Sequence, residues 1–159
     1  MITTKQWLGV AILISGVGYG IWLNLQPEPE LVTDSKWSAI PYKDAVAVND
    51  GKALYDRYCL ACHGANLEGQ PNWRERDSAG YLPAPPHDQS GHTWHHADQQ
   101  LFTIVKGGIA AIAGNDYRTT MRAFGEQMND DQIWSVLAYI KSTWPQEIID
   151  AHNRFSEES

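Results

Sequence analysis

Apolar residues recur at helical spacing in three stretches of this chain, and in a fourth they run together without a break. Val48, Leu54, Tyr55 and Tyr58 follow a 3.6-residue period, with Asn49 as a candidate N-cap and Gly51 placed where a second helix backbone or a flat ring can come close. A second helix is expected from about Asp98 to Lys106, with Leu101, Phe102 and Val105 inward and Gly107-Gly108 as its stop. The third is signalled most fully. Asn129 is an N-cap, Asp130 and Asp131 fill the first turn and Gln132 stands at N3. Ile133, Trp134, Leu137 and Ile140 then form an apolar stripe that ends before Pro145. Loops rich in glycine and proline join these helices, among them Gly64 to Pro86, and no period-2 pattern persists, so the expected class is all-α.

The unbroken run is Trp7–Leu23, seventeen residues without a charge. That is the short end of what spans a bilayer, with Trp7, Tyr19 and Trp22 as interfacial residues. A cleaved signal peptide would want a small-x-small site after the run, but the run ends in the bulky Ile21-Trp22-Leu23-Asn24. An uncleaved single transmembrane helix is the expectation. Lys5 before it and Glu28, Glu30 and Asp34 after it place the N-terminus in the cytoplasm and the rest of the chain across the membrane. Gly16 and Gly20 form a G-x-x-x-G, a spacing common in membrane helices that also lets a second helix approach. Pro27, Pro29 and Pro41 then keep the chain extended, a tether rather than a domain. The expected organisation is an N-terminal transmembrane anchor over 1–25, a Pro-containing linker over 26–46, a globular domain over 47–146 and a polar C-terminal tail over 147–159.

Composition narrows the partners. The 159-residue chain carries a formal net charge of −7 and no basic run, which argues against nucleic acid, because neutralising phosphates needs a basic face. About a hundred residues remain outside the anchor and linker, a lean core by surface-to-volume scaling that a large buried cofactor would enlarge.

Both cysteines lie in Tyr58-Cys59-Leu60-Ala61-Cys62-His63-Gly64. A structural zinc site asks for four ligands, and no second cysteine pair exists. A thioredoxin-like redox motif belongs after a strand, and no strand-like run precedes Cys59. Covalent haem attachment remains: on a helical turn positions i and i+3 share a face, so Cys59 and Cys62 reach one porphyrin edge while His63 becomes the proximal iron ligand. For the distal position the chain offers, beyond Met1, only Met121 and Met128. Met121 lies in a loop, whereas Met128 directly precedes the N-cap Asn129, where an apolar residue acts as a staple. Met121 is therefore expected on the iron and Met128 in the packing. His87, His92, His95 and His96 lack a carboxylate or cysteine to complete an obvious metal set, so they are expected as surface, capping or haem-edge hydrogen-bonding residues.

From about Val48 to Pro145 the sequence resembles the class I c-type cytochromes in their membrane-anchored bacterial, monohaem form. The likeness rests on Cys59-Leu60-Ala61-Cys62-His63-Gly64, on Met121 followed by Ala123-Phe124-Gly125, and on the closing segment from Asn129 to Pro145. The resemblance implies a small cytochrome c fold around one covalent haem c, its first helix packed on its last, with a loop methionine as sixth ligand. It also implies that Pro71 offers its carbonyl to the N–H of the proximal histidine. One position departs from the pattern: the residue after the methionine, often proline in similar sequences, is Arg122. The implied function is one-electron transfer between membrane-associated respiratory complexes. Partners would be redox proteins of the same membrane: a quinol-oxidising complex, a terminal oxidase or a dehydrogenase. The haem domain would sit on the periplasmic side of a bacterial inner membrane. No nucleophile or acid–base pair stands out, so catalysis is not expected. Two alternatives stay open, an electron-accepting subunit of a membrane dehydrogenase and a haem-based sensor in which a gas displaces Met121.

Overall fold

In the computed structural model of the chain, which describes residues 35–114 and 117–159, the first helix opens at Asp44 and not at Asn49. The Asp44 carboxylate accepts from the backbone N–H groups of Val46 and Ala47 at 3.0 and 2.9 Å, so helix α1 runs Ala45–Tyr58 and Asn49 lies on its exposed side. A polar residue just ahead of an apolar stripe is compatible with either a cap or a solvent-facing position, which is why the pattern misplaced this start. Cys59 ends α1, and a single further turn, α2 (Leu60–His63), follows at once, with the His63 N–H donating to the Cys59 carbonyl at 2.9 Å. After a 3-10 turn at Thr93–His95 come α3 (Asp98–Gly107), stopped by Gly108 at φ +79°, and the short α4 (Ala110–Ala113). Helix α5 (Asp130–Ser142) starts with the expected capping box, Asn129 and Gln132 each bonding the other's backbone. No strand forms among the described residues.

The segment 147–159, expected as a polar tail, is helical over most of its length: α6 spans Gln146–Glu157 and buries Ile149 and His152. The residue it buries deepest is a histidine, and Pro145, two residues past the Thr143 C-cap of α5, is the N-cap of α6 with φ −54°. The predicted span Trp7–Leu23 falls outside the described residues. Among those described, no helix is long and apolar enough to cross a membrane.

Helices α1 and α5 cross at Gly51. A Cβ there would lie 1.8 Å from the Ser135 carbonyl oxygen and 3.1 Å from the Tyr139 Cβ, so the crossing admits no side chain at this position. Next to it the rings of Tyr55 and Tyr139 are 5.4 Å apart, and Phe102 of α3 stacks on Trp134 of α5 at 4.6 Å. Ile133, Val136, Leu137, Ile140 and Trp144 complete the core, and Met128 is buried at its edge.

One buried carboxylate ties the periphery to this core. Asp98 accepts from the Ile40 backbone N–H at 2.9 Å, pairs with Lys141 at 3.3 Å, and faces Nδ1 of His152 at 3.6 Å and the Ser156 hydroxyl at 3.4 Å. It therefore connects the segment before α1 with α3, α5 and α6. His152 Nε2 donates to the His96 carbonyl at 2.9 Å, and Trp144 packs edge-on to the ring at 5.1 Å. Burial, reinforced by the Lys141 ammonium, holds the His152 pKa below its ordinary value even though Asp98 and the His96 carbonyl pull it upward. The folded protein thus resists a proton that the unfolded chain takes up, and stability should fall as pH drops through the ordinary histidine range near pH 6.5. His152→Gln keeps a donor for the His96 carbonyl but cannot titrate. In urea unfolding between about pH 7.5 and 5.5, this variant should lose stability less steeply than the wild type, by at most about 1.4 kcal/mol per pH unit. Parallel slopes would remove His152 from the account.

Candidate functional site

The close crossing at Gly51 fixes the direction in which α1 delivers its C-terminus. The Tyr55 hydroxyl donates to the Gly64 carbonyl at 2.9 Å, pinning the end of α2, and the Gly69 N–H donates to the His63 carbonyl at 2.8 Å. Cys59, partly buried, and Cys62, exposed, both carry free thiols on this turn, and His63 follows them with 8% of its surface exposed. Burial pushes the Cys59 thiol up to about 12, with the neighbouring Cys62 adding to the shift.

His63 Nδ1 lies 2.8 Å from the Pro85 carbonyl oxygen. A carbonyl only accepts, so Nδ1 carries the proton and Nε2 keeps a free lone pair. Burial lowers the His63 pKa, with the Pro85 bond opposing in part, which favours the neutral ring a metal requires. Pro85 thus stands where Pro71 was expected. Residues 70–84 form an excursion closed at its neck, where the Gln70 N–H donates to the Ala84 carbonyl at 2.9 Å and the Ala84 N–H to Oε1 of Gln70 at 2.8 Å. The chain leaves at Gln70 and returns at Ala84, so the next proline, Pro85, meets the imidazole and Pro71 is exposed in the excursion. Gly69 permits this closure at φ +69°, since a Cβ there would fall 2.6 Å from the Pro85 carbonyl carbon and 2.5 Å from the Pro86 nitrogen.

The four histidines of the 87–96 region have separate partners. His87 stacks on His63 at 3.9 Å, and its Nδ1 pairs with the Thr93 hydroxyl at 2.8 Å. Its backbone carbonyl accepts from Trp144 Nε1 at 2.8 Å, and burial holds its pKa well below the usual range, helped by His63 and His92. His92 stacks on Trp73 at 5.4 Å, His95 on Trp94 at 3.7 Å, and the His96 carbonyl serves His152. Among the described residues no three His, Cys, Asp or Glu side chains gather as a metal set.

Met121 is half-buried against the core in the loop between α4 and α5, its N–H donating to the Thr119 hydroxyl at 3.0 Å. Beyond it the Phe124 and Gly125 N–H groups donate at 3.0 Å each to the carbonyls of Val105 and Lys106, which ties the loop to the end of α3. The side chains singled out in the sequence thus comprise two thiols and an imidazole on one turn and a thioether in a loop on the same core. Pro85 escaped the sequence reading because loop length leaves no mark in residue pattern, and the stack of His87 on His63 escaped it because ring stacking has no sequence signal.

This donor set suits haem c. His63 arrives neutral, with Nε2 free of any hydrogen bond among the described residues, and both thiols are unpaired. The sequence model of the family described as Cytochrome c matches residues 48–144. Over 64 residues the chain is 39% identical to a Mycobacterium leprae protein named "Cytochrome bc1 complex cytochrome c subunit", a match covering 40% of this chain and 19% of that protein. A Mycobacterium bovis protein of the same name is 38% identical over 66 residues, covering 40% of this chain and 21% of that one. The matched region thus spans about a fifth of the length of these relatives. The crystal structure of cytochrome CL from Methylophaga aminisulfidivorans aligns with a TM-score of 0.48 at 23% identity, covering 69% of this chain and 62% of that one.

Gly69→Ala tests the proximal geometry. The added Cβ displaces Pro85 and Pro86, so the protein should lose about 2 kcal/mol of stability in urea. The His63 Nδ1 proton should exchange faster than in the wild type. Unchanged exchange would mean that Pro85 does not hold the ring.

Proposed function

This chain belongs to the cytochrome c family, as a class I c-type cytochrome with covalently bound haem c, and on that footing we propose that it is a one-electron carrier of a respiratory chain. The observation that carries the reading is the turn Cys59–His63, on which two thiols precede an imidazole whose Nδ1 is committed to Pro85 and whose Nε2 is free. Cys59 and Cys62 would form the thioethers, His63 would be the proximal ligand and Met121 the distal one. Bound there, the haem supplies an iron that cycles between ferrous and ferric states. The protein's part is to keep the ligands in place and water out. The Pro85 carbonyl keeps the His63 ring oriented and electron-rich, and the soft Met121 thioether favours reduced iron and raises the potential.

The chain architecture we propose around this centre is an anchor over 1–25, a linker over 26–46 whose described end is docked on the domain by Ile40 at Asp98 and passes into α1 at Ala45, and the haem domain over 47–146, which α6 extends. The charge-free run Trp7–Leu23 with Lys5 ahead of it supports a single-pass helix with the haem domain on the periplasmic side of a bacterial inner membrane. The named relatives are subunits of a bc1 complex, which supports electron exchange with a quinol-oxidising complex of the same membrane. A terminal oxidase or dehydrogenase would stand at the other end of the transfer. From Gln26 onward 11 basic residues face 19 acidic ones, a balance that favours a partner with a basic docking face.

Substituting the two methionines separately tests the ligand assignment. Met121→Ala should lower the reduction potential by on the order of 0.1–0.3 V, within the roughly 0.8 V that axial ligation spans, and open ferrous iron to carbon monoxide. Met128→Ala should leave the potential near the wild-type value and cost about 3 kcal/mol of stability. The reverse pattern would move the ligand to Met128.

A further inference from the structure

The excursion 70–84 also reaches the loop that carries Met121. Its base is held where the Trp73 ring lies against His92 at 5.4 Å and against the Arg74 guanidinium at 4.0 Å. Its tip is ordered by Asp77, whose carboxylate accepts from the N–H groups of Ala79 and Tyr81 at 2.9 and 2.8 Å, while Arg76 donates to the Gly80 carbonyl at 2.7 Å. This preformed turn presents the Ala79 carbonyl to Arg118, whose Nη1 donates to it at 2.6 Å. The Arg118 chain lies along Gly80, where a Cβ at φ +86° would meet its Cδ at 3.2 Å, and Arg76 lies over the Tyr117 ring at 5.3 Å.

Arg118 stands three residues before Met121, and Phe124, tied to α3, stands three residues after it. The methionine is therefore slung midway between two anchors. With Arg122, which lies over the Phe124 ring at 5.4 Å, in place of a proline, the backbone at the next residue is not stiffened from within. Rigidity at Met121 has to come from the anchors.

We propose that Arg118 is a positioning residue, whose clasp on the Ala79 carbonyl of the excursion 70–84 holds the loop so that Met121 stays on the iron. This rests on Met121 as the distal ligand. Loss of the clasp lets the loop swing out more often, so an external ligand competes with the thioether more successfully.

Imidazole binding to the ferric, haem-loaded full chain reads this directly, with the far-red methionine-to-iron charge-transfer absorption as the marker of ligation. Arg118→Ala should bind imidazole about fivefold more tightly, the size of one exposed charge-assisted hydrogen bond, and its far-red absorption should fade at lower imidazole. Arg118→Lys should recover part of the difference, and Arg154→Ala, an exposed arginine of α6, should match the wild type. An Arg118→Ala variant with wild-type imidazole affinity overturns the clasp while Met121 remains the ligand. A wild type that lacks the far-red absorption, or binds imidazole as tightly as Met121→Ala does, overturns the ligand assignment and the clasp with it.

Discussion

Where α1 meets α5 the two backbones touch, because Gly51 faces the Ser135 carbonyl with no room for a methyl group. This contact sets the angle and depth of the crossing, and through it the place where Cys59, Cys62 and His63 leave the end of α1. The aromatic rings around it, Tyr55, Tyr139, Phe102 and Trp134, convert the close approach into stability, at about 2–3 kcal/mol for each large side chain removed from water. A wider crossing would separate those rings and turn the Cys59–His63 segment away from the core on which Met121 packs. Sequence dictates the contact through a single glycine, and local structure, packing and the site all follow from it.

A carrier that changes only its oxidation state gains from ligand positions that the protein fixes in advance. The excursion 70–84 touches the segments of both His63 and Met121. Its closed neck brings Pro85 onto the His63 imidazole, and its tip meets Arg118 ahead of Met121. An excursion of this kind in a loop is ordinarily tolerated because it costs little chain entropy. Here it is ordered by its own Asp77 turn and by the stack of Trp73 on His92, so it links the segment around His63 to the loop that carries Met121.

How much of this was legible in the residues differs from element to element. The thiol–thiol–histidine turn, the Asn129–Gln132 capping box and the glycine stop after α3 were all visible, because each depends on contacts within a few residues. The start of α1 was misplaced by five residues, since Asp44 and Asn49 are both sound caps and only the fold decides which backbone N–H groups are free. Pro85 was missed in favour of Pro71 because the choice depends on where a loop closes, and Gln70 pairing with Ala84 is a contact across the excursion. Helix α6 was hidden by its content: few apolar residues, of which Ile148 and Ile149 pack on the core, stand among polar ones, and His152 and Ser156 add contacts to Asp98 that have no sequence signal. The charge-free run at the N-terminus remains a reading of composition, outside the described residues.

A haem joined covalently to Cys59 and Cys62 is the feature on which the proposed electron transfer depends. Acid-acetone treatment of the purified protein, followed by mass spectrometry of the precipitated chain and its proteolytic peptides, tests this most directly. Thioether bonds survive the treatment, so the polypeptide should keep the mass of one haem, and that mass should map to the peptide containing Cys59 to His63. Haem released into the acetone, with a polypeptide of unmodified mass left behind, would contradict the account.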